Sequence, residues 1–195
     1  MKKNILLILV KDFSAIHSIT SIAKRLEVSR VGVWKVIKKL EEEKCVKVEA
    51  VGSGKTSTSI IRINLDSAIA EKTVTLYLTE EVEKQKRWMI NFSGLQDVTD
   101  FTILFGSILR STKEANDIDI IGVTKKAGFT KIQKIIDTAQ KTQEKKIHSI
   151  NFTKSEFKQE LEKPNKAIID AVRNGVVLFG QGNFVEFVKG MKHGR

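Results

Sequence analysis

The sequence has almost nothing that could cross-link the chain or hold it in a membrane. One cysteine, Cys45, among 195 residues excludes an intramolecular disulfide framework and a cysteine-based zinc site, and it suits a reducing cytoplasm. The apolar run at residues 5–10 is too short to cross a bilayer, and Lys11-Asp12 ends it without a small-residue cleavage site. Neither a signal peptide nor a membrane anchor is expected, and the protein is read as soluble and cytoplasmic. The three histidines, His17, His148 and His193, have no partner at metal-ligand spacing along the chain, so each is read as structural or solvated. A single proline, Pro164, leaves residues 66–95 with nothing to stop a helix. Internal repeats and low-complexity segments are absent.

Positive charge is in excess. The formal net charge of +11 favours an anionic partner. Residues 1–65 carry thirteen Lys/Arg against six Asp/Glu, so seven of the eleven net charges fall in the first third of the chain. A chain of this length holds one large or two small domains, and the pattern favours two: residues 1–65, a helical linker at 66–96, and residues 97–195.

Residues 2–11 read as a helix. Residues 18–26 begin with cap-forming side chains and put Ile19, Ile22, Ala23 and Leu26 on one face. After a turn at Glu27-Val28, Ser29 can cap a further helix with Val33, Ile37 and Leu40 inward. Its other face is basic. Arg30, Lys35, Lys38 and Lys39 point to solvent, as a helix entering a major groove requires, with Arg30 near the end that reaches base edges first. Trp34 is assigned to stacking or packing against a neighbouring element. Residues 45–51 and 58–65 alternate as two strands about Gly52-Ser53-Gly54. Gly54-Lys55-Thr56 is not a phosphate-binding loop, because Glu49 stands where that pattern needs its first glycine; Lys55 is read as a hairpin tip contacting a DNA phosphate. Helices followed by a basic-tipped hairpin resemble the winged helix-turn-helix family, with SRVGVWKVIKKLEEEKCVKV in the position of its recognition helix and first wing strand. The resemblance implies double-stranded DNA as a partner, and a homodimer where the site is palindromic.

In the linker, Leu76, Leu78, Val82 and Trp88 form an apolar side, to be buried against the second domain or in a dimer contact. Further on, residues 130–142 read as a helix with Ile132, Ile135, Ile136 and Ala139 inward, and residues 146–153 as a strand. A Thr153-x-x-Glu156 capping box opens another helix, Pro164 breaks it, Asn165 caps the next and Gly175 ends that one. Residues 176–179 are a last buried strand, and a weakly helical basic tail follows from Asn183.

The chain is organised around residues 101–123. Phe101, Ile103 and Phe105 alternate as a strand, and Gly106-Ser107 punctuates it at a strand-to-helix turn. Ser107 can cap a short helix whose free N–H groups would suit a nucleotide phosphate. On the next strand Asp117 and Asp119 share a face about 6 to 7 Å apart, while Ile118 and Ile120 face the core. One divalent cation can bridge them.

Hydrophobic-Gly-Ser, a spacer, then Asp-Ile-Asp-Ile resembles the minimal nucleotidyltransferases of the DNA polymerase beta superfamily. The resemblance implies a nucleoside triphosphate, ATP above all, held at Gly106 and Ser107 with Arg110 facing the triphosphate. It also implies Mg2+ on Asp117 and Asp119, the two catalytic carboxylates. Ser111 replaces the usual glycine after the arginine. Active members carry a third carboxylate on the later strand, and residues 146–153 contain none; His148 or Asn151 fills that face. The expected fold class is therefore α+β in two domains, an N-terminal winged helix-turn-helix and a C-terminal α/β nucleotidyltransferase fold with a small mixed sheet. The leading function is a DNA-binding transcriptional regulator that senses or uses a nucleoside triphosphate. A second is nucleotidyl transfer from ATP to a protein or small-molecule acceptor, antitoxin-like, and a third has interaction modules with vestigial sites.

Overall fold

Capping and hydrophobic spacing set the first elements: α1 (Lys2–Lys11), α2 (Ile19–Leu26) and α3 (Arg30–Glu42), then an antiparallel hairpin of β1 (Val46–Val51) and β2 (Thr58–Ile63). The computed structural model describes residues 1–52, 58–163 and 165–191, and Lys55 and Pro164 lie outside them. Ser18 caps α2 in a reciprocal box with Ser21, and the Ser29 hydroxyl accepts from the Gly32 N–H to start α3. Between these helices Glu27 takes a left-handed conformation, φ 55°, which ends α2 and makes the turn tight. Ile22, Val33, Ile37, Leu40 and Ile61 are buried, each worth about 1.5–3 kcal/mol of transfer free energy. His17 is structural: its Nε2 lies 2.8 Å from the Asp12 carbonyl, and its own carbonyl accepts from the Ile61 N–H at 2.8 Å, which ties the segment before α2 to β2.

The chain divides into two units, Met1–Tyr77 with Val188–Arg195 and Leu78–Phe187. Helix α4 (Ala68–Val82) contributes residues to both, and α5 (Lys86–Asn91) follows it. The buried stripe of α4 is Ala70, Val74, Leu78 and Val82, four residues apart; Leu76, expected to meet the second domain or a dimer partner, is 54 % exposed because it is out of phase with that stripe.

The second unit is a mixed sheet of β3 (Phe101–Phe105), β4 (Asp117–Val123), β5 (Lys146–Phe152) and β6 (Val176–Phe179) in the order β5-β4-β3-β6. Only β4 and β5 are parallel, joined by α6 (Phe129–Gln140), while β3 runs antiparallel to both β4 and β6. Ile118 and Ile120 of β4 pack with Ile132 and Ile136 of α6, the core that fixes the sheet under the aspartates. Helix α7 (Lys154–Glu162) opens with the Thr153–Glu156 capping box. Asn165 stands at the start of α8 (Lys166–Asn174) and makes no side-chain cap; its Nδ2 donates back to Glu160 of α7 at 2.7 Å. Gly175 ends α8 in extended backbone; a Cβ there would stand 2.3 Å from the Ala171 carbonyl oxygen, so close approach to the helix requires glycine. Within the described residues the tail forms a helix, α9 (Gln181–Gly190), whose Phe184 packs edge-on against Phe101 at 5.5 Å between centroids.

Candidate functional site

Asp117 opens β4, and Asp119 follows on the same face, both half-buried, while Ile118 and Ile120 are fully buried on the other. Strand β5 runs beside them in parallel register, Lys146 opposite Asp117 and His148 opposite Asp119. That register brings the His148 Nδ1 to 3.5 Å from an oxygen of Asp117 and 3.5 Å from an oxygen of Asp119. One ligand atom from each of the three lies within 4.8 Å of the others. Such a set can close on one ion with bonds of about 2.0–2.3 Å, so the residues fit a divalent cation. Burial first, and then the Asp117 charge alongside, raise the pKa of Asp119 above its ordinary value; His148 acts in the opposite direction.

On the other flank of Asp119 is the end of β3. Phe105 pairs with Asp119, and the next residue, Gly106, turns away at φ 86°. A Cβ on Gly106 would stand 2.4 Å from the Asp119 Oδ2, so glycine serves two needs here, the left-handed backbone and the space for the carboxylate. The helix expected after it is a single 3-10 turn, Ser107–Leu109, and the Ser107 side chain makes no capping bond. The Ser111 hydroxyl accepts from the Glu114 N–H at 3.3 Å within the stretch that leads to β4. A turn this short gathers few free N–H groups, which removes the helix-dipole argument for phosphate. Arg110 follows the turn, exposed, on a cleft of about 560 Å³ bordered by Gly106, Leu109 and the α8 residues Ala167, Asp170 and Asn174.

In the first unit Arg30, Lys35, Lys38 and Lys39 are all exposed on α3. Trp34 is 45 % exposed, and its partner is on its own helix: the Lys38 ammonium lies 4.8 Å from the ring centroid. A second cleft of about 640 Å³ runs beside Arg30, Val31 and Trp34, between the start of α2 and Thr58 and Ser59 of β2. Lys55 lies outside the described residues.

Local spacing does not reveal His148, which the sequence offers only as an alternative to Asn151 on the face that lacks a third acid. His148 is 29 positions from Asp119, and only the parallel pairing of β4 with β5 joins them. Among the described residues no helix is long and apolar enough to cross a membrane. No curated protein and no solved structure matches the chain. Residues 2–54 match the family described as HTH domain, and with α2, the tight turn and α3 in that stretch the chain carries an N-terminal helix-turn-helix.

Proposed function

We propose that the protein is a DNA-binding transcriptional regulator whose residues 97–195 form a nucleotidyltransferase-like domain that binds or uses a nucleoside triphosphate, ATP first, with a divalent cation. The observation that carries the DNA half is the exposed row Arg30, Lys35, Lys38 and Lys39 on α3, within the stretch matched as an HTH domain. In this reading α3 enters a major groove, Arg30 reaches a base edge, and the lysines, Lys55 among them, neutralise phosphates. Duplex binding measured across a salt series tests it. Log affinity should fall linearly with log salt, with a slope of about −0.9 per phosphate contacted. Binding that ignores salt, or none at low salt, overturns the reading.

The nucleotide half rests on the approach of Gly106 to Asp119 beside the Arg110 cleft. Backbone N–H groups at Gly106 and Ser107 hold phosphate oxygens, Arg110 and the exposed Lys146 offset their charge, and Asp117 and Asp119 hold the cation, Mg2+ by the family resemblance. The cation, when bound, neutralises charge on the triphosphate. His148 beside both aspartates also supports the second reading, an active transferase, because it stands where the third carboxylate is missing. Transfer would join an acceptor hydroxyl to the α-phosphate of ATP and release pyrophosphate. Incubation with α-labelled ATP and cell extract separates the two: a labelled acceptor makes it a transferase, and binding without label makes it a sensor.

A further inference from the structure

The geometry points to Asp117, Asp119 and His148 as a single three-ligand centre for a first-row transition cation, Mn2+ through Zn2+, in preference to Mg2+. This rests on the divalent-cation part of the proposed function and on none of its nucleotide part.

The three donors form one triangular face. Two come from i and i+2 of β4 and the third from the position of β5 opposite Asp119, so backbone register and not side-chain chance holds them together. The His148 Nδ1 is equidistant, 3.5 Å, from both carboxylates. Gly106 leaves room for the other oxygen of Asp119: a Cβ there would stand 2.4 Å from Oδ2, so the glycine lets the carboxylate keep the position that sets its Oδ1 3.5 Å from His148. His148 is 45 % exposed on its side chain and Asp117 35 %, so the face opposite the protein is free for water or phosphate oxygens. A set of three protein ligands with open positions is the form of a working metal centre, whereas closed structural sites use four.

The imidazole decides the class of ion. Mg2+ is hard, holds its water, and gains little from a nitrogen donor, so two aspartates with a histidine make a poor Mg2+ site. Imidazole nitrogen suits the later first-row ions, and their affinity for mixed nitrogen and oxygen sites rises from Mn2+ towards Cu2+. Replacing a third carboxylate by His148 also takes one negative charge from the centre, which lowers the attraction for Mg2+ most, since Mg2+ depends on charge alone here.

The test uses the full chain without nucleotide. Co2+ is titrated while its visible absorption bands are followed, and Mn2+ and Mg2+ are then added as competitors. Wild type should bind Co2+ and Mn2+ at least about tenfold more tightly than Mg2+, and His148→Ala should lose about tenfold or more of the Co2+ affinity while its Mg2+ affinity changes little. His148→Asp should restore a carboxylate centre and narrow the preference, raising Mg2+ affinity relative to Co2+. Equal affinity of wild type for Co2+ and Mg2+, or Co2+ bands unaltered in His148→Ala, overturns the inference. His148 is exposed, so His148→Ala should stay folded with a melting curve near that of wild type in chelator, whereas His148→Asp, which sets a third carboxylate beside two, should melt lower in chelator and recover when metal is added. Metal binding that survives while ATP binding is absent sinks the nucleotide proposal and leaves this one standing.

Discussion

Asp119 and His148 are register partners across the parallel β4–β5 pair, and the imidazole Nδ1 stands 3.5 Å from the Asp119 carboxylate. Burial and the Asp117 charge push the Asp119 pKa up, so the apo site holds its negative charge at an energetic disadvantage. Asp119→Asn should therefore raise the melting temperature in the presence of a chelator, by about 1–4 °C. Added Mn2+ should stabilise the wild type and not the variant. Differential scanning fluorimetry with and without metal reads both effects.

In the proposed DNA complex the exposed residues of α3 would divide into roles. Arg30→Ala should weaken duplex binding and flatten sequence preference, because a residue at the start of the helix reaches base edges. Lys35→Ala and Lys38→Ala should weaken binding on all sequences alike and lower the salt slope by about 0.9 each. Selection of binding sites from a random duplex pool, done with each variant, checks this; an unchanged selected motif for Arg30→Ala makes that residue a phosphate contact.

Gly106→Ala sets a Cβ 2.4 Å from the Asp119 Oδ2 on backbone at φ 86°. Both insults act at one place. Urea unfolding should show a loss of about 1–3 kcal/mol, the range for strained left-handed backbone in a non-glycine residue. Metal affinity should fall as well, since Asp119 must move, while salt-dependent DNA binding by α3 stays as it was.

The local elements are legible in the sequence where a side chain meets only its near neighbours. Ser18, Ser29 and Thr153 announce helix starts, and each accepts the expected backbone N–H. Period two in DIDI separates the aspartates from Ile118 and Ile120 on opposite faces. What the sequence hides depends on distant partners. His148 lacks a metal-spaced neighbour along the chain and gains two carboxylates only through strand pairing. Asn165 has cap chemistry but makes no cap and donates instead to Glu160, and Leu76 has core chemistry but the wrong phase. Ser107 follows a strand like a cap, yet the chain makes one 3-10 turn there and runs through a turn, with no helix, into β4.

The capping box of α7 gives a pH signature. Glu156 accepts from the Thr153 backbone N–H at 2.8 Å and from its hydroxyl at 2.9 Å, and these bonds, the backbone one first, hold its pKa below the ordinary 4.5. A depressed folded-state pKa means stability that is present above the unfolded value and lost as pH falls through the folded one. Wild type should thus exceed Glu156→Gln in thermal melts by a constant margin from pH 7 down to about 5, with the margin closing at lower pH. Thr153→Ala should lower stability by about 1 kcal/mol at pH 7, the usual loss for a helix cap.

The sharpest question for the second unit is whether cation and nucleotide are held together. Asp117 and Asp119 are the only carboxylates in the three-residue cluster, and each is partly open to solvent. A cation there has few protein ligands, so it should bind weakly alone and more tightly once triphosphate oxygens fill its remaining positions. By linkage, ATP must then bind more tightly in the presence of the cation, by the same factor. Replacing both aspartates, Asp117→Asn with Asp119→Asn, should remove that coupling and leave DNA affinity unchanged, because α3 and its basic row belong to the other unit. Calorimetry of ATP against wild type and the double variant, with Mg2+, with Mn2+ and with chelator, measures it. A cation-dependent heat in wild type and none in the variant supports a metal-assisted nucleotide site. Equal heats in the two proteins, or none in wild type at millimolar ATP, leave the second unit as an interaction module built on a vestigial site.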